Sequence, residues 1–328
     1  MNALIGIDVG ATGISGGLVT PEGEVVAVEK RATHARGKGT AVETLLELVD
    51  GMLAEARARD LQVQGIGVGL PGAVDVATGA MVKFPRNHVR EFGGVPLRDR
   101  IGTATGLPAF VDNDANALAL AEWTFGAAKG ASSLVLLAIG TEIGGAIIAG
   151  DALVRGYSGF GGELGHVPIS FNGPRCICGG RGCAGAYLGG RVMARAARRR
   201  AGRARSKLVA MAGGDSRGIT SELVFEAARL ADPLARAIVD QGCTALAALL
   251  AVIVNGIDPE VVVVTGGVAG SLEPLRDEII ERVGRYAYAP ALARTRVEIV
   301  SGDKARTVRG GAALVLYELR RQAAKAEG

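Results

Sequence analysis

ALIGIDVGATGISGGLV, residues 3–19, reads as two apolar strands joined by a tight turn, and a later echo of it decides the fold. ALIGIDV (3–9) and GISGGLV (13–19) flank Gly10-Ala11-Thr12. The echo is SLVLLAIG (133–140), Thr141-Glu142 and IGGAIIAG (143–150). Thr12-Gly13-Ile14 with Gly16 lines up against Thr141-Glu142-Ile143 with Gly145, which predicts a duplicated α/β lobe.

The surrounding chain fits that reading. EVVAVEK (24–30), GIGVGLPG (65–72), LPAFVDN (107–113), EVVVVTGGV (260–268) and RVEIVSG (296–302) are strand-like, and most end in glycine turns. Residues 40–59, 186–200 and 274–286 are spaced as helices, as are an apolar stretch up to Asn255 and the segment 305–325. Asp232-Pro233 marks a helix start, a cap followed by proline in the first turn. Residues 202–219, rich in Gly, Arg and Ser, read as a mobile connection. Alternating strands and helices place the chain in the α/β class. At 328 residues two domains are expected. We set them at 1–115 and 116–304, with helix 305–325 packing back on the first.

Composition narrows the function. Hydrophobic residues make up 48% of the chain, enough for a large core, and aromatic residues only 4%. The longest apolar run, near Leu246 to Val254, is too short to cross a bilayer. The chain starts directly in a strand, which predicts no secretion signal and a cytoplasmic protein. Net charge is +4, with much of the excess in RVMARAARRRAGRARSK (191–207). That run reads either as a nucleic-acid patch or as a solvated helix face. The lack of interleaved aromatic residues favours the second.

GHVPISFNGPRCICGGRGC (165–183) holds His166, Cys176, Cys178 and Cys183, in a chain with only four cysteines and three histidines. Three thiolates and an imidazole complete the tetrahedral shell of structural zinc, with no position left for a reacting water. Cys243, in an apolar helical run, is a core residue.

Three glycine turns follow strands, around Asp8-Val9-Gly10-Ala11-Thr12, Ile139-Gly140-Thr141 and Thr265-Gly266-Gly267. Such turns let backbone amides reach phosphate oxygens, threonine hydroxyls add donors, and Asp8 could orient a hydrated Mg2+. Asp114, in Val111-Asp112-Asn113-Asp114-Ala115-Asn116, sits at a strand-to-helix junction where α/β ligands bind. Helix capping competes for at least one of these residues. Glu163 and His166 are three apart, on one turn or helix face. If one ring nitrogen of His166 binds zinc, the other can donate to a ligand hydroxyl in a fixed orientation.

DVGATG, VDNDAN, IGTEIGG, ELGH and CICGGRGC, in this order, resemble the ROK family of sugar kinases and repressors from about residue 4 to residue 320. The family repressors carry a DNA-binding domain before the first strand, and none precedes it here, so the resemblance is to a kinase-type member. It implies a two-lobed actin-like, hexokinase-like ATPase fold of duplicated ribonuclease-H-like domains with a zinc loop over 166–183. It implies ATP and Mg2+, and transfer of the γ-phosphoryl group to a sugar hydroxyl, usually the 6-hydroxyl. Asp114 matches the family's general base, and Asn87, Asn113, Glu163 and His166 its sugar contacts. His166, Cys176, Cys178 and Cys183 match its structural Zn2+ ligands. Asp8, Gly10, Thr12, Gly140, Thr141, Gly266 and Gly267 match its nucleotide turns. A homodimer or tetramer is implied, and neither nucleic acid nor membrane.

The chain also departs from the family. Gly10-Ala11-Thr12-Gly13 stands for Gly-Gly-Thr-Lys, and Glu142 follows Thr141 where the family has glycine. Thr265-Gly266-Gly267 stands for three glycines, and Gly185 replaces a sugar-binding glutamate. These changes leave a sugar-binding regulator with a degenerate kinase site as the alternative.

Overall fold

The computed structural model describes residues 1–35, 37–83, 89–202, 206–302 and 304–327, except the side chains of 304–306 and 327. It divides the chain into two compact units, Met1–Ala131 with Leu153–Gly161 and Asp303–Gly328, and Ser132–Ala152 with Gly162–Gly302.

The first unit holds β1 (Asn2–Val9), β2 (Gly13–Val19), β3 (Val25–Ala32), α1 (Ala41–Ala58), β4 (Gln62–Leu70), the short pair β5 (Val74–Asp75) and β6 (Ala80–Met81), α2 (Leu97–Thr105), β7 (Ala109–Asn113) and α3 (Asp114–Thr124). The second begins with β8 (Ser133–Ile139), β9 (Ile143–Ala149) and β10 (Ala152–Leu153). It continues with α4 (Gly190–Ala201), α5 (Leu208–Met211), α6 (Ser221–Arg229), α7 (Pro233–Ile257), β11 (Val261–Thr265), α8 (Ala269–Leu272), α9 (Arg276–Val283), α10 (Ala289–Leu292) and β12 (Arg296–Ile299). The last helix, α11 (Lys304–Glu327), belongs to the first unit.

Each unit has a five-stranded sheet, in the orders β3-β2-β1-β4-β7 and β10-β9-β8-β11-β12. In both, a glycine-turned antiparallel hairpin leads into two parallel neighbours. One topology therefore occurs twice, as the paired hairpins predicted. The first unit extends to Ala131, past the boundary expected at 115, because α3 packs on β4, β7 and α11 rather than opening the second unit.

The first core packs Leu45, Leu48, Val49 and Met52 of α1 on one face of the sheet, against Ile7, Ile14 and Val68. Glycine lines the opposite face. A Cβ on Gly6 would lie 1.8 Å from the Val308 carbonyl oxygen, and one on Gly67 1.9 Å from that of Gly311. Only bare backbone admits α11 at this distance.

The second core centres on α7, with Leu246, Leu249, Leu250 and Ile253 fully or almost fully buried among Val135, Leu137, Val262 and Val264. Asp232 caps α7 by accepting from the Ala235 amide, and Pro233 opens it. The helix is 25 residues long, and its buried residues extend from Leu234 to Val254. By length and composition it could cross a membrane, but 67% of its most apolar window is buried in the protein. Residues 202–219 contain α5 and a 3-10 turn, Ser216–Gly218, and so include regular structure where a mobile connection was expected.

Candidate functional site

In the first unit the predicted residues gather at the carboxyl ends of β1, β4 and β7. Register sets Asp8 beside Gly69 and Gly69 beside Asp112, and a Cβ on Gly69 would lie 3.3 Å from the Asp114 Cα. Asp114 opens α3 half-buried, its Oδ1 accepting from the Ala115 amide at 2.8 Å.

Asn113 is the helix cap. Its Oδ1 accepts from the Ala115 and Asn116 amides at 2.9 and 3.2 Å, and its Nδ2 donates to the Gly72 carbonyl at 3.1 Å. Asn113, one of the expected sugar contacts, therefore also caps α3. Asn87 lies outside the described residues.

Behind this pair sits Asp112, only 2% exposed. One oxygen accepts from the Asn113 amide and the Asn116 side chain, and the other from Arg155 Nε at 2.7 Å. Arg155 also bonds Glu318 at 2.5 Å and lies over the Tyr317 ring. Burial opposes the Arg155 charge, but Asp112 and Glu318 more than offset this and hold its pKa above the usual arginine value. Sequence reading missed Arg155 because nothing local marks it; its partners are 43 and 163 residues away.

The first glycine turn is closed by its own backbone. The Gly10 amide donates to the Gly13 carbonyl at 2.9 Å, and the Thr33 hydroxyl to the Gly10 carbonyl at 2.7 Å. The Gly10 amide is therefore committed to the turn. Asp8 pairs across the sheet with Ser15, and Ser15 with Lys30. A Cβ on Gly13 would lie 2.7 Å from Lys30 Cε, so the lysine stem covers the glycine that stands for the family lysine. Burial raises the Asp8 pKa, while a hydrogen bond with Thr307 and the Lys30 charge pull it down.

The second unit brings two of the glycine turns together. Gly140 and Thr141 follow β8, and Gly266 and Gly267 follow the adjacent parallel strand β11. Gly266 has φ +100°, and a Cβ there would meet the Ile139 carbonyl oxygen at 2.7 Å, so only glycine fits. The Val268 amide donates to that same oxygen at 2.9 Å. The Gly140 amide donates to the Glu142 carbonyl at 2.9 Å, and the Glu142 side chain forms an ion pair with Arg191.

Glu163 precedes and His166 ends a single 3-10 turn, Leu164–His166, with Glu163 Oε2 3.9 Å from His166 Nε2. Gly165 makes this turn possible, since a Cβ there would lie 2.3 Å from the Ile143 carbonyl oxygen. His166 Nδ1 faces the other way, 3.5 Å from Cys176 Sγ. Cys178 Sγ is 3.8 Å from Cys183 Sγ, and the four candidate ligand atoms all lie within 4.8 Å of one another. Backbone pairing of Cys176 with Gly180 and of Gly182 with Pro174 folds the cysteine loop. At Gly182 a Cβ would lie 1.7 Å from the Ser170 carbonyl oxygen.

These distances fit zinc. Tetrahedral Zn–S and Zn–N bonds of about 2.3 and 2.0–2.1 Å place sulfur ligands ~3.8 Å apart and sulfur ~3.6 Å from nitrogen. Burial, then the Cys176 and Cys178 sulfurs, push the Cys183 thiol up to about 12. The Cys183 thiol resists ionising unaided, so a bound cation is what would make it a thiolate. Gly185, where the family has a glutamate, lies in the 3-10 turn Ala184–Ala186, its absent Cβ 3.1 Å from the Gly165 carbonyl oxygen.

The chain resembles known proteins over most of its length. The family model described as "ROK family" matches residues 4–318. The chain is 35% identical over 289 residues to a glucokinase of Thermotoga maritima, covering 85% of this chain and 88% of that protein. A ROK family glucokinase from Streptomyces griseus, solved in complex with glucose and AMPPNP, aligns with a TM-score of 0.74 at 31% identity, over 94% of this chain and 98% of that one. A ROK hexokinase from Thermus thermophilus aligns with a TM-score of 0.80 at 29% identity, over 97% and 99%.

Proposed function

The chain belongs to the ROK family, and on that premise we propose that it is an ATP-dependent sugar kinase of the actin-like ATPase fold, acting on a hexose or amino sugar. It is a carbohydrate kinase related to glucokinases over most of its length. In this reading the sugar hydroxyl, the 6-hydroxyl, attacks the γ-phosphorus as Asp114 takes its proton. The new O–P bond forms, the bond from the γ-phosphorus to the bridging oxygen breaks, and ADP leaves. The observation that carries the proposal is the placement of Asp114. It stands half-buried at the carboxyl end of β7, with Asp112 and Asn113 holding its turn.

The other residues take binding roles. Glu163 and the Nε2 side of His166 contact sugar hydroxyls, with Asn87 as a further sugar contact. Asn113 acts chiefly through the turn it caps. The Thr12 and Thr141 hydroxyls and the amides after Gly10 and Gly140 face the phosphates. Gly266 and Gly267 border the nucleoside. Asp8 orients Mg2+, which when bound would neutralise phosphate charge. A structural Zn2+ on His166, Cys176, Cys178 and Cys183 would fix the imidazole's orientation. Phosphoryl transfer depends mostly on positioning and charge, which is what such cradles supply.

The setting is the cytoplasm, where ATP is made and thiols stay reduced, and the assembly a homodimer or tetramer. The sensor alternative rests on Glu142, Gly13 and Gly185, and the Arg191 ion pair gives Glu142 a counter-charge. The test is ADP release over a panel of glucose, mannose, N-acetylglucosamine and N-acetylmannosamine. Release with at least one sugar supports the kinase. Sugar binding without release points to the sensor.

A further inference from the structure

Glu142 puts a carboxylate into the turn proposed to hold phosphate, where the family pattern has glycine. A lone anion there would repel the ligand. The fold supplies a cation from the start of α4. Arg191 Nη2 pairs with Glu142 Oε1, and both side chains are partly exposed, at 42% and 38%.

Backbone contacts fix this cation at the turn. The Gly190 amide donates to the Gly140 carbonyl at 2.8 Å, and the Arg191 amide to the Thr141 carbonyl at 3.2 Å. Gly189, with φ +129°, allows the approach: a Cβ there would lie 3.2 Å from the Thr141 carbonyl oxygen and 3.5 Å from the Glu142 Cα. Arg191 is therefore stitched to the turn independently of its side chain. A guanidinium has five N–H donors, and one carboxylate takes at most two of them. The rest suit the oxygens of a phosphate. The first turn of α4 contains no acidic residue to oppose an anion.

We propose that Arg191 binds the phosphates of the nucleotide and that Glu142 holds its guanidinium at the turn. This rests on the kinase reading and adds the residue that lets the altered turn accept a triphosphate. Without Arg191, the Glu142 carboxylate loses this counter-charge at the turn. Removing both charges should then harm less than removing the arginine alone.

The test uses the full-length protein, MgATP as variable substrate and the best sugar of the panel at saturation, for Arg191→Ala, Arg191→Lys, Glu142→Gln and the double variant Arg191→Ala/Glu142→Gln. Arg191→Ala should raise the KM for ATP at least ~10-fold, with sugar KM and melting temperature unchanged. Arg191→Lys should fall between it and the parent. The double variant should recover most of the lost ATP affinity. An unchanged KM for ATP in Arg191→Ala overturns the proposal, as does a double variant no better than the single. A matched rise in both KM values with a lower melting temperature also overturns it, because that is structural damage. If the parent protein releases no ADP with any sugar, the kinase reading fails and this proposal with it. An active parent with an indifferent Arg191→Ala defeats this proposal alone.

Discussion

The two units share a sheet order but fix their polar side chains by different physics. The first sets the turn before Asp114 with a buried ion-pair network, in which Arg155 spans Asp112 and Glu318. The second sets His166 with a cluster of three sulfurs and one ring nitrogen suited to a metal. Charge built into the chain holds one; a removable ion would hold the other. The lesson is that duplication copied the scaffold and left each copy to solve precision separately.

The largest effect should come from removing the carboxylate that the first network presents. Asp114→Asn is expected to lower turnover by about 10²–10⁴-fold or more, while sugar still binds. Stopped ADP release with intact sugar titration is the expected pair of results. Near-normal turnover would show that the network presents something other than a base.

Next is the metal of the second unit. Cys178→Ser should reduce bound zinc below one equivalent by elemental analysis. It should also raise the sugar KM by about 10–100-fold through a misplaced His166, in line with losses at disturbed metal sites. Full metal content with unchanged KM would erase the contrast between the units.

A third change tests the charge-based anchor. Arg155→Ala leaves the buried Asp112 without its cationic partner, which should cost about 3–5 kcal/mol of stability by chemical denaturation. Turnover should fall more than sugar affinity, because Asp112 orients the turn that carries Asp114. A loss below 1 kcal/mol would show that water replaces the arginine.

The smallest effect tests whether the second unit depends on charge as well. Asp232 is buried, which raises its pKa, but the Ala235 and Lys207 amides and the Ser206 hydroxyl outweigh this and hold it below the usual carboxylate value. A depressed carboxylate adds stability that is present above its unfolded pKa and lost as pH falls through the folded one. Asp232→Ala should therefore cost about 0.5–2 kcal/mol at neutral pH, and the gap should close in acid. Melting curves at pH 7 and pH 3 would show it, and a gap that persists in acid would refute the ionic component.

The sequence revealed what is local. Paired hairpins announced the repeated sheet, Asp232-Pro233 announced α7, and the clustered His166, Cys176, Cys178 and Cys183 announced one metal-sized group. It did not reveal what depends on distant partners. Arg155 becomes meaningful only beside Glu318, and Arg191 only beside Glu142. Asn113 was legible in both ways, since its spacing suited a ligand contact and a cap, and the amides of Ala115 and Asn116 show the cap. The expected boundary at 115 failed because no periodicity in α3 says which sheet it will cover.

The chain's path has a practical consequence. The first unit is completed by Leu153–Gly161 and by α11, from far downstream. A fragment ending at Ala131 would bare the glycine-lined sheet face and strand Asp112 without its guanidinium. Neither half can be cut out as one uninterrupted piece of gene. Truncation series should therefore yield insoluble products until the last helix is restored, and a split-protein design would need to supply that helix in trans.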